Sequence, residues 1–253
     1  MNVLILGGTT ESSALARALA GDGRFRATLS LAGRTRHPLP QPLPCRVGGF
    51  GGVEGLTSYL AEHRVGALID ATHPFASQMS RHAVEAARLT GTRLLAVVRP
   101  AWRPRPGDRW TNVPGMAAAA DALGRVGRRV LLTVGQQDLA PFAAAPWHSY
   151  VIRSVEPPPP GALPPGAEVI TARGPFAEPD ERRLLVERRV EVLVTKNSGG
   201  EATRPKLDAA RALGLPVVIV ARPDPPPGVE SVATAAQALA WLVRQYEAAP
   251  RGG

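Results

Sequence analysis

Lysine is nearly missing from this 253-residue chain: of 30 basic side chains only Lys196 and Lys206 are lysine, and every other is arginine. A compact ammonium used so sparingly, beside hydroxyls and a glycine turn, reads either as a site for anionic or hydride chemistry or as decoration on a loop. Cysteine is scarcer still. The single Cys45 excludes an intramolecular disulfide and supplies no metal-ligand spacing, which fits a reducing compartment. No apolar run approaches the roughly 20 residues of a bilayer-spanning helix, and the opening residues lack the basic n-region of a secretory signal. The expectation is a soluble, cytoplasmic protein with no membrane partner. Zinc-finger spacing and the aromatic pattern of RNA-binding sheets are also missing, so the formal charge of +9 does not point to nucleic acid. Scattered arginine fits solubility or an acidic ligand instead.

What is present is alternation. Short β-branched runs at 3–6, 27–31, 67–70, 93–98, 129–133, 150–153, 168–171, 190–195 and 216–221 are separated by alanine-rich helical stretches such as 12–20, 53–62, 77–89, 116–125 and 234–248. That order predicts an α/β protein built of βαβ units with mainly parallel sheets. Proline clusters at 38–44, 100–106, 157–165 and 223–227 mark loops or connectors, and the stretch 100–114 reads as a crossing between two halves. An internal echo supports two halves: Leu68-Ile69-Asp70 runs through Ala86-Ala87-Arg88 to Arg99-Pro100, as Leu193-Val194-Thr195 runs through Ala209-Ala210-Arg211 to Arg222-Pro223. Two such sheets facing each other would place both sets of loops around one central cleft.

The chemistry gathers at predicted strand ends. Gly7-Gly8-Thr9-Thr10-Glu11-Ser12 sits between the first strand and its helix, where free N–H groups and the helix dipole suit a pyrophosphate. Against the usual G-x-G-x-x-G fingerprint, Thr9 stands at the second glycine and Ser12 at the third, and a hydroxyl of Thr9 or Thr10 could donate to phosphate. After the second strand, Ser30-Leu31-Ala32-Gly33-Arg34-Thr35 offers hydroxyls and arginine where NAD-binding proteins carry an acid, which favours NADP. Arg36 adjoins that patch. Gly48-Gly49-Phe50-Gly51-Gly52 would let a nucleotide approach the backbone. Asp70, Thr72 and His73 place a carboxylate, a hydroxyl and an imidazole in one loop, with His73 either an acid-base group or a structural cap. In the second half Thr133, Gly135 and Asp138 repeat the strand-glycine-helix plan. Arg153 and Arg173 are candidates for bidentate pairing with ligand carboxylates, or for surface solvation.

Gly7-Gly8-Thr9-Thr10-Glu11, Ala32-Gly33-Arg34, Asp70-Ala71-Thr72-His73-Pro74-Phe75-Ala76, Arg99-Pro100 with Trp102, and Thr195-Lys196-Asn197-Ser198-Gly199-Gly200 with Lys206-Leu207 and Ala209-Ala210-Arg211 together resemble, in order and spacing, the precorrin-6A reductases of cobalamin biosynthesis, the precorrin-6x reductase family. The resemblance implies two Rossmann-like domains about a central cleft: residues 1–112 binding NADPH, and residues 113–253 completing the substrate and nicotinamide site. It implies an NADPH-dependent oxidoreductase acting on a CH–CH group, reducing precorrin-6A to precorrin-6B without metal or flavin. The cofactor residues would be Gly7, Gly8, Thr9, Thr10, Glu11, Ser30, Ala32, Gly33, Arg34, Thr72, His73 and Pro74, with Thr195, Lys196, Asn197, Ser198 and Gly199 from the second half. Lys196, His73 and Asp70 would be catalytic. The partner would be precorrin-6A, a polycarboxylate tetrapyrrole that arginines can hold, with transient contact to neighbouring pathway enzymes. Alternatives are a cobalt-precorrin-6A reductase, separated by turnover of metal-free against cobalt-loaded substrate; an S-adenosylmethionine methyltransferase, against which Gly33-Arg34 stands where an acid is usual; and a nucleotide-sensing module, which would bind NADPH without oxidising it.

Overall fold

The computed structural model describes residues 1–33 and 39–248. They form two compact units, Met1–Pro100 with Pro223–Gly253, and Ala101–Arg222. In the first unit, β1 (Asn2–Leu6), α1 (Thr10–Leu19), β2 (Arg26–Leu31), β3 (Cys45–Val47), α2 (Gly52–Glu62), β4 (Ala67–Asp70), α3 (Ser77–Thr90) and β5 (Arg93–Val97) follow in order. The second unit contains β6 (Arg109–Val113), α4 (Met116–Asp121), β7 (Arg129–Thr133), α5 (Ala140–Ala143), β8 (Ser149–Ser154), β9 (Glu168–Thr171), α6 (Glu178–Glu187), β10 (Val192–Lys196), α7 (Pro205–Ala212) and β11 (Pro216–Val220). The chain then returns to the first unit with β12 (Ser231–Val232) and α8 (Ala235–Glu247).

Each sheet has six strands, all paired in parallel. The orders are β3-β2-β1-β4-β5-β12 and β9-β8-β7-β10-β11-β6. Both are the doubly wound nucleotide-fold order, in which the chain reverses direction across the sheet beside its first strand and leaves a crevice at the strands' carboxyl ends. The expected α/β architecture of two parallel sheets is therefore what forms. The echo also takes structural form, since β4-α3-β5 and β10-α7-β11 hold the same places in their sheets.

Central strands of a parallel sheet are covered on both faces, so they are apolar without alternation. On β1, Val3 and Ile5 pack with Leu15 and Leu19 of α1 and with Trp241 and Leu242 of α8, while Leu4 and Leu6 pack on the opposite face with Leu56, Leu60 and Ala83. In the second unit Leu131, Leu193, Val217 and Ile219 pack against Leu207, Ala209 and Ala210 of α7, with Trp102 in the same cluster.

The division between residues 112 and 113 is not the one the structure makes. The stretch 100–114, expected as a bare crossing, contains β6, whose five residues pair with β11 of the second unit. The C-terminal segment does not stay there: β12 pairs with β5, and the buried face of α8 joins the core over α1. The chain leaves each sheet just after its fifth strand, at Arg99-Pro100 and at Arg222-Pro223, and supplies the sixth strand of the other. An edge strand needs only one neighbour, so Arg109-Trp110-Thr111-Asn112-Val113 and the two-residue β12 carry too little apolar pattern to announce themselves. Among the described residues no helix is long and apolar enough to cross a membrane.

Candidate functional site

In the first unit the chain reversal falls between β1 and β4, and the loops there carry most of the residues that the sequence singled out. Gly7 still belongs to the sheet, its N–H donating to the Ser30 carbonyl at 2.9 Å. A Cβ on Gly7 would lie 2.6 Å from Leu29 Cδ1, and Gly8 turns the chain at φ +110°, a region that favours glycine. Thr9 is the N-cap of α1. Its hydroxyl oxygen accepts the Ser12 N–H at 3.1 Å, and its proton goes to the Ala71 carbonyl at 2.8 Å, binding the turn to the loop after β4. Thr9 therefore has no hydroxyl proton left for a phosphate. Thr10 is exposed, and its hydroxyl donates to Glu11 at 3.1 Å.

Ser12, which stands at the third glycine position, is fully buried and organises the turn. Its Oγ accepts from the N–H groups of Gly8 and Thr9, at 3.1 and 3.0 Å, and donates to the Thr9 carbonyl at 2.8 Å. The first-turn amides of α1 have no carbonyl within the helix to serve, which leaves the start of the helix suited to an anion. Glu11 in that turn would oppose one, but its carboxylate is paired with Arg99 at 2.7 Å, both side chains being largely buried. The donor set is thus the remaining first-turn amides beside a neutralised acid, which fits the pyrophosphate of a dinucleotide.

Asp70 ends β4 nearly buried, and its Oδ1 accepts from the N–H and hydroxyl of Thr72, at 3.1 and 2.7 Å. That carboxylate shapes its own loop. His73 accepts the Phe75 N–H on Nδ1 at 3.3 Å, which assigns the proton of the neutral ring to Nε2. His73 and Pro74 are half-buried. Ala32 and Gly33 are exposed just beyond β2, with Gly33 at φ +73°. Arg34, expected at the 2′-phosphate, lies outside the described residues, as do Thr35 and Arg36.

The second unit has its own reversal between β7 and β10, and there the chemistry is different. Lys196 ends β10 with its Nζ 2.5 Å from Asp138 Oδ2, and the same carboxylate oxygen accepts the Gly135 N–H at 3.0 Å. Gly135 to Asp138 follows β7 at the spacing at which Gly8 to Glu11 follows β1. In the first unit the uncharged Ser12 caps the turn; here the carboxylate of Asp138 does, and Lys196 neutralises it.

Thr195 is only 1 % exposed and lies inside the sheet. Asn197 uses its side-chain amide like a strand edge, accepting from Trp102 N–H at 2.8 Å and donating to Trp102 O at 3.0 Å. Ser198 is buried, and Gly199 and Gly200 both take positive φ, +63° and +96°. Of Thr195 and Asn197, both expected to touch a cofactor, Asn197 is thus occupied in holding the loop that Lys196 begins, and Thr195 is buried. Lys206 is buried on α7 with its Nζ 5.0 Å from the centre of the Trp102 ring. Arg153 does not reach for a ligand: it forms a buried ion pair with Glu181, its guanidinium 4.1 Å from the Phe176 ring centre. Arg173 is exposed.

Ser12 as turn keeper and Glu11-Arg99 as a neutralising pair were not read as such from the sequence. The Arg-Pro echo marked Arg99 without showing its partner.

Comparison with known proteins gives one consistent answer. Residues 2–243 match the family described as Precorrin-6x reductase CbiJ/CobK. A precorrin-6A reductase of Sinorhizobium sp is 52% identical over 88% of this chain and 85% of its own. That of Rhodobacter capsulatus is 49% identical over 99% and 98%. A solved structure titled CobK precorrin-6A reductase superposes with a TM-score of 0.92 at 48% identity, covering 100% of both chains.

Proposed function

Because this chain belongs to the precorrin-6x reductase family, we propose that its first unit holds the nicotinamide cofactor and its second unit supplies Lys196 to the reaction. The enzyme is an oxidoreductase that reduces precorrin-6A to precorrin-6B in cobalamin biosynthesis, with NADPH as reductant. Bound at the first unit's glycine turn, NADPH would be the source of a hydride for one carbon of the ring's double bond, and a proton would complete the CH–CH unit at its neighbour.

The contrast between the two glycine turns carries the division of labour. The turn closed by Ser12 keeps its charge near zero by pairing Glu11 with Arg99, so amides and the dipole of α1 are available to phosphate. The turn closed by Asp138 instead spends a carboxylate on the Gly135 N–H and on the Lys196 ammonium. Asp138 holds Lys196 in one orientation, at the strand end where open α/β sheets meet their ligands. From there the ammonium stabilises negative charge, on a ring carboxylate or as it develops in the macrocycle. His73 presents an N–H from the β4 loop as a proton-bearing group, while Asp70 serves by fixing that loop through Thr72.

Lys196→Ala tests this reading. Turnover of precorrin-6A falls at least about tenfold, as loss of one charge-stabilising donor implies, while NADPH affinity and melting temperature stay close to wild type. Wild-type turnover in the variant removes Lys196 from the site. The same assay, run on metal-free and cobalt-loaded substrate, gives the metal-free ring the higher kcat/KM.

A further inference from the structure

Beyond the glycine turn, the rim where β2 and β3 end has a charge pattern of its own. Between Arg26 and Glu54 the sequence holds no acidic residue. Among the described residues of that stretch the one charged side chain is Arg46, in the centre of β3, directly opposite Ser30 of β2 in the parallel register. Its Nη1 donates to the Gly48 carbonyl at 2.5 Å and lies 3.4 Å from Ser30 Oγ; Nη2 donates to the Gly49 carbonyl at 2.6 Å. The plane is fixed from one side, with Cζ 3.7 Å from the centre of the Phe50 ring. Tyr59 stands behind Phe50 edge-on, ring centres 5.3 Å apart.

Two features make this more than a loop strap. A guanidinium has five N–H donors in a rigid fork, and these partners take three, so it has capacity for two more bonds. The carbonyls of Gly48 and Gly49 would repel an approaching anion, and the guanidinium that binds them cancels that repulsion. In sheets of this strand order the adenosine half of a dinucleotide lies over the ends of the first three strands. An adenosine whose ribose carries a free 2′-hydroxyl wants a carboxylate there, and none exists; one that carries a 2′-phosphate wants a cation held in place.

We infer that Arg46 is a specificity determinant for NADPH, its stacked guanidinium facing the 2′-phosphate, and that Ser30 and the glycine loop keep it in that position. The inference rests on the assignment of the cofactor to the first unit.

The test is equilibrium titration with two fragments that need no turnover, adenosine 2′,5′-bisphosphate and adenosine 5′-monophosphate. Wild type binds the bisphosphate more tightly, and the preference shrinks as salt is raised. Arg46→Met, which keeps an apolar stem over Phe50, loses about 10- to 100-fold in affinity for the bisphosphate, the range for a charged hydrogen bond, and less than about threefold for the monophosphate. Arg46→Lys restores part of the difference. Equal losses for both fragments, or no loss for either, overturn the role of Arg46 and reduce it to a loop strap. A wild type that binds neither fragment overturns the underlying cofactor assignment instead. Melting curves of both variants separate binding losses from unfolding.

Discussion

Replacing Gly55 by alanine should destabilise the protein, although the same change in an exposed helix stabilises it. Gly55 lies in the first turns of α2, and a Cβ built there would stand 1.7 Å from the Phe50 carbonyl oxygen and 2.8 Å from its carbon. Ordinary contact begins near 3.4 Å, and the obstacle is backbone, so no rotamer change relieves it. Either α2 moves away from the core that it reaches through Leu56 and Leu60, or the loop of Phe50 retreats by more than an ångström. Alanine gains about 1 kcal/mol over glycine in helix propensity. Overpacking of this kind costs about 1–3 kcal/mol or more, and contact with a rigid backbone atom puts this site at the upper end. The net loss is therefore about 1–2 kcal/mol, or a fall of several degrees in melting temperature at ~2–4 °C per kcal/mol. Because Phe50 carries the Arg46 guanidinium on its ring, the retreat should also weaken NADPH binding. Calorimetric melting and cofactor titration of Gly55→Ala check both effects. A variant that melts higher than wild type with unchanged affinity would refute the packing of Phe50 against α2.

Two further expectations concern the second unit. Arg153 and Glu181 are 6% and 4% exposed, so Arg153→Met or Glu181→Leu alone leaves a buried charge unpaired and costs about 3–5 kcal/mol. The double substitution should recover much of that loss in urea unfolding, whereas simple additivity would show that the two side chains do not depend on each other. Burial pushes the Tyr150 phenol up from 10.0 to about 12, so the folded state holds it neutral after the unfolded chain has ionised. Its stabilising contribution is complete below pH 10 and is lost as pH rises from 10 towards 12. Absorbance titration should show one of the three tyrosines ionising late, and Tyr150→Phe should lose less stability across that window than wild type. An identical pH slope in the variant would assign the late titration elsewhere.

The legible parts of this chain are those whose physics is local. Val3-Leu4-Ile5-Leu6 followed by Gly7-Gly8 gives both a strand covered on two faces and the turn that ends it, and Leu193-Val194-Thr195-Lys196 does the same for β10. The Arg88 to Arg99 and Arg211 to Arg222 spacing carried the repeat through to two matching sheet positions. The exchange of sixth strands was not legible, because a pairing partner is chosen by the whole sheet and Ser231-Val232 has no pattern to read. In the site, residue type marked Lys196 and the glycine turn. It could not show that the Thr9 proton is taken by Ala71, that Glu11 is neutralised by Arg99, or that Arg153 turns inward. Those are contacts between residues 62, 88 and 28 positions apart.

The traded edge strands make inheritance of these two halves all or nothing. A fragment ending at Pro100 would lack β12 and α8, leaving Leu15 and Leu19 without Trp241 and Leu242, while a fragment starting at Ala101 would carry that surplus tail with no sheet to join. Recombination that swaps one half for a relative's must therefore bring two separate stretches of gene at once. A lineage that keeps this arrangement has tied the evolution of its two sheets together, and neither can be lent to another protein alone.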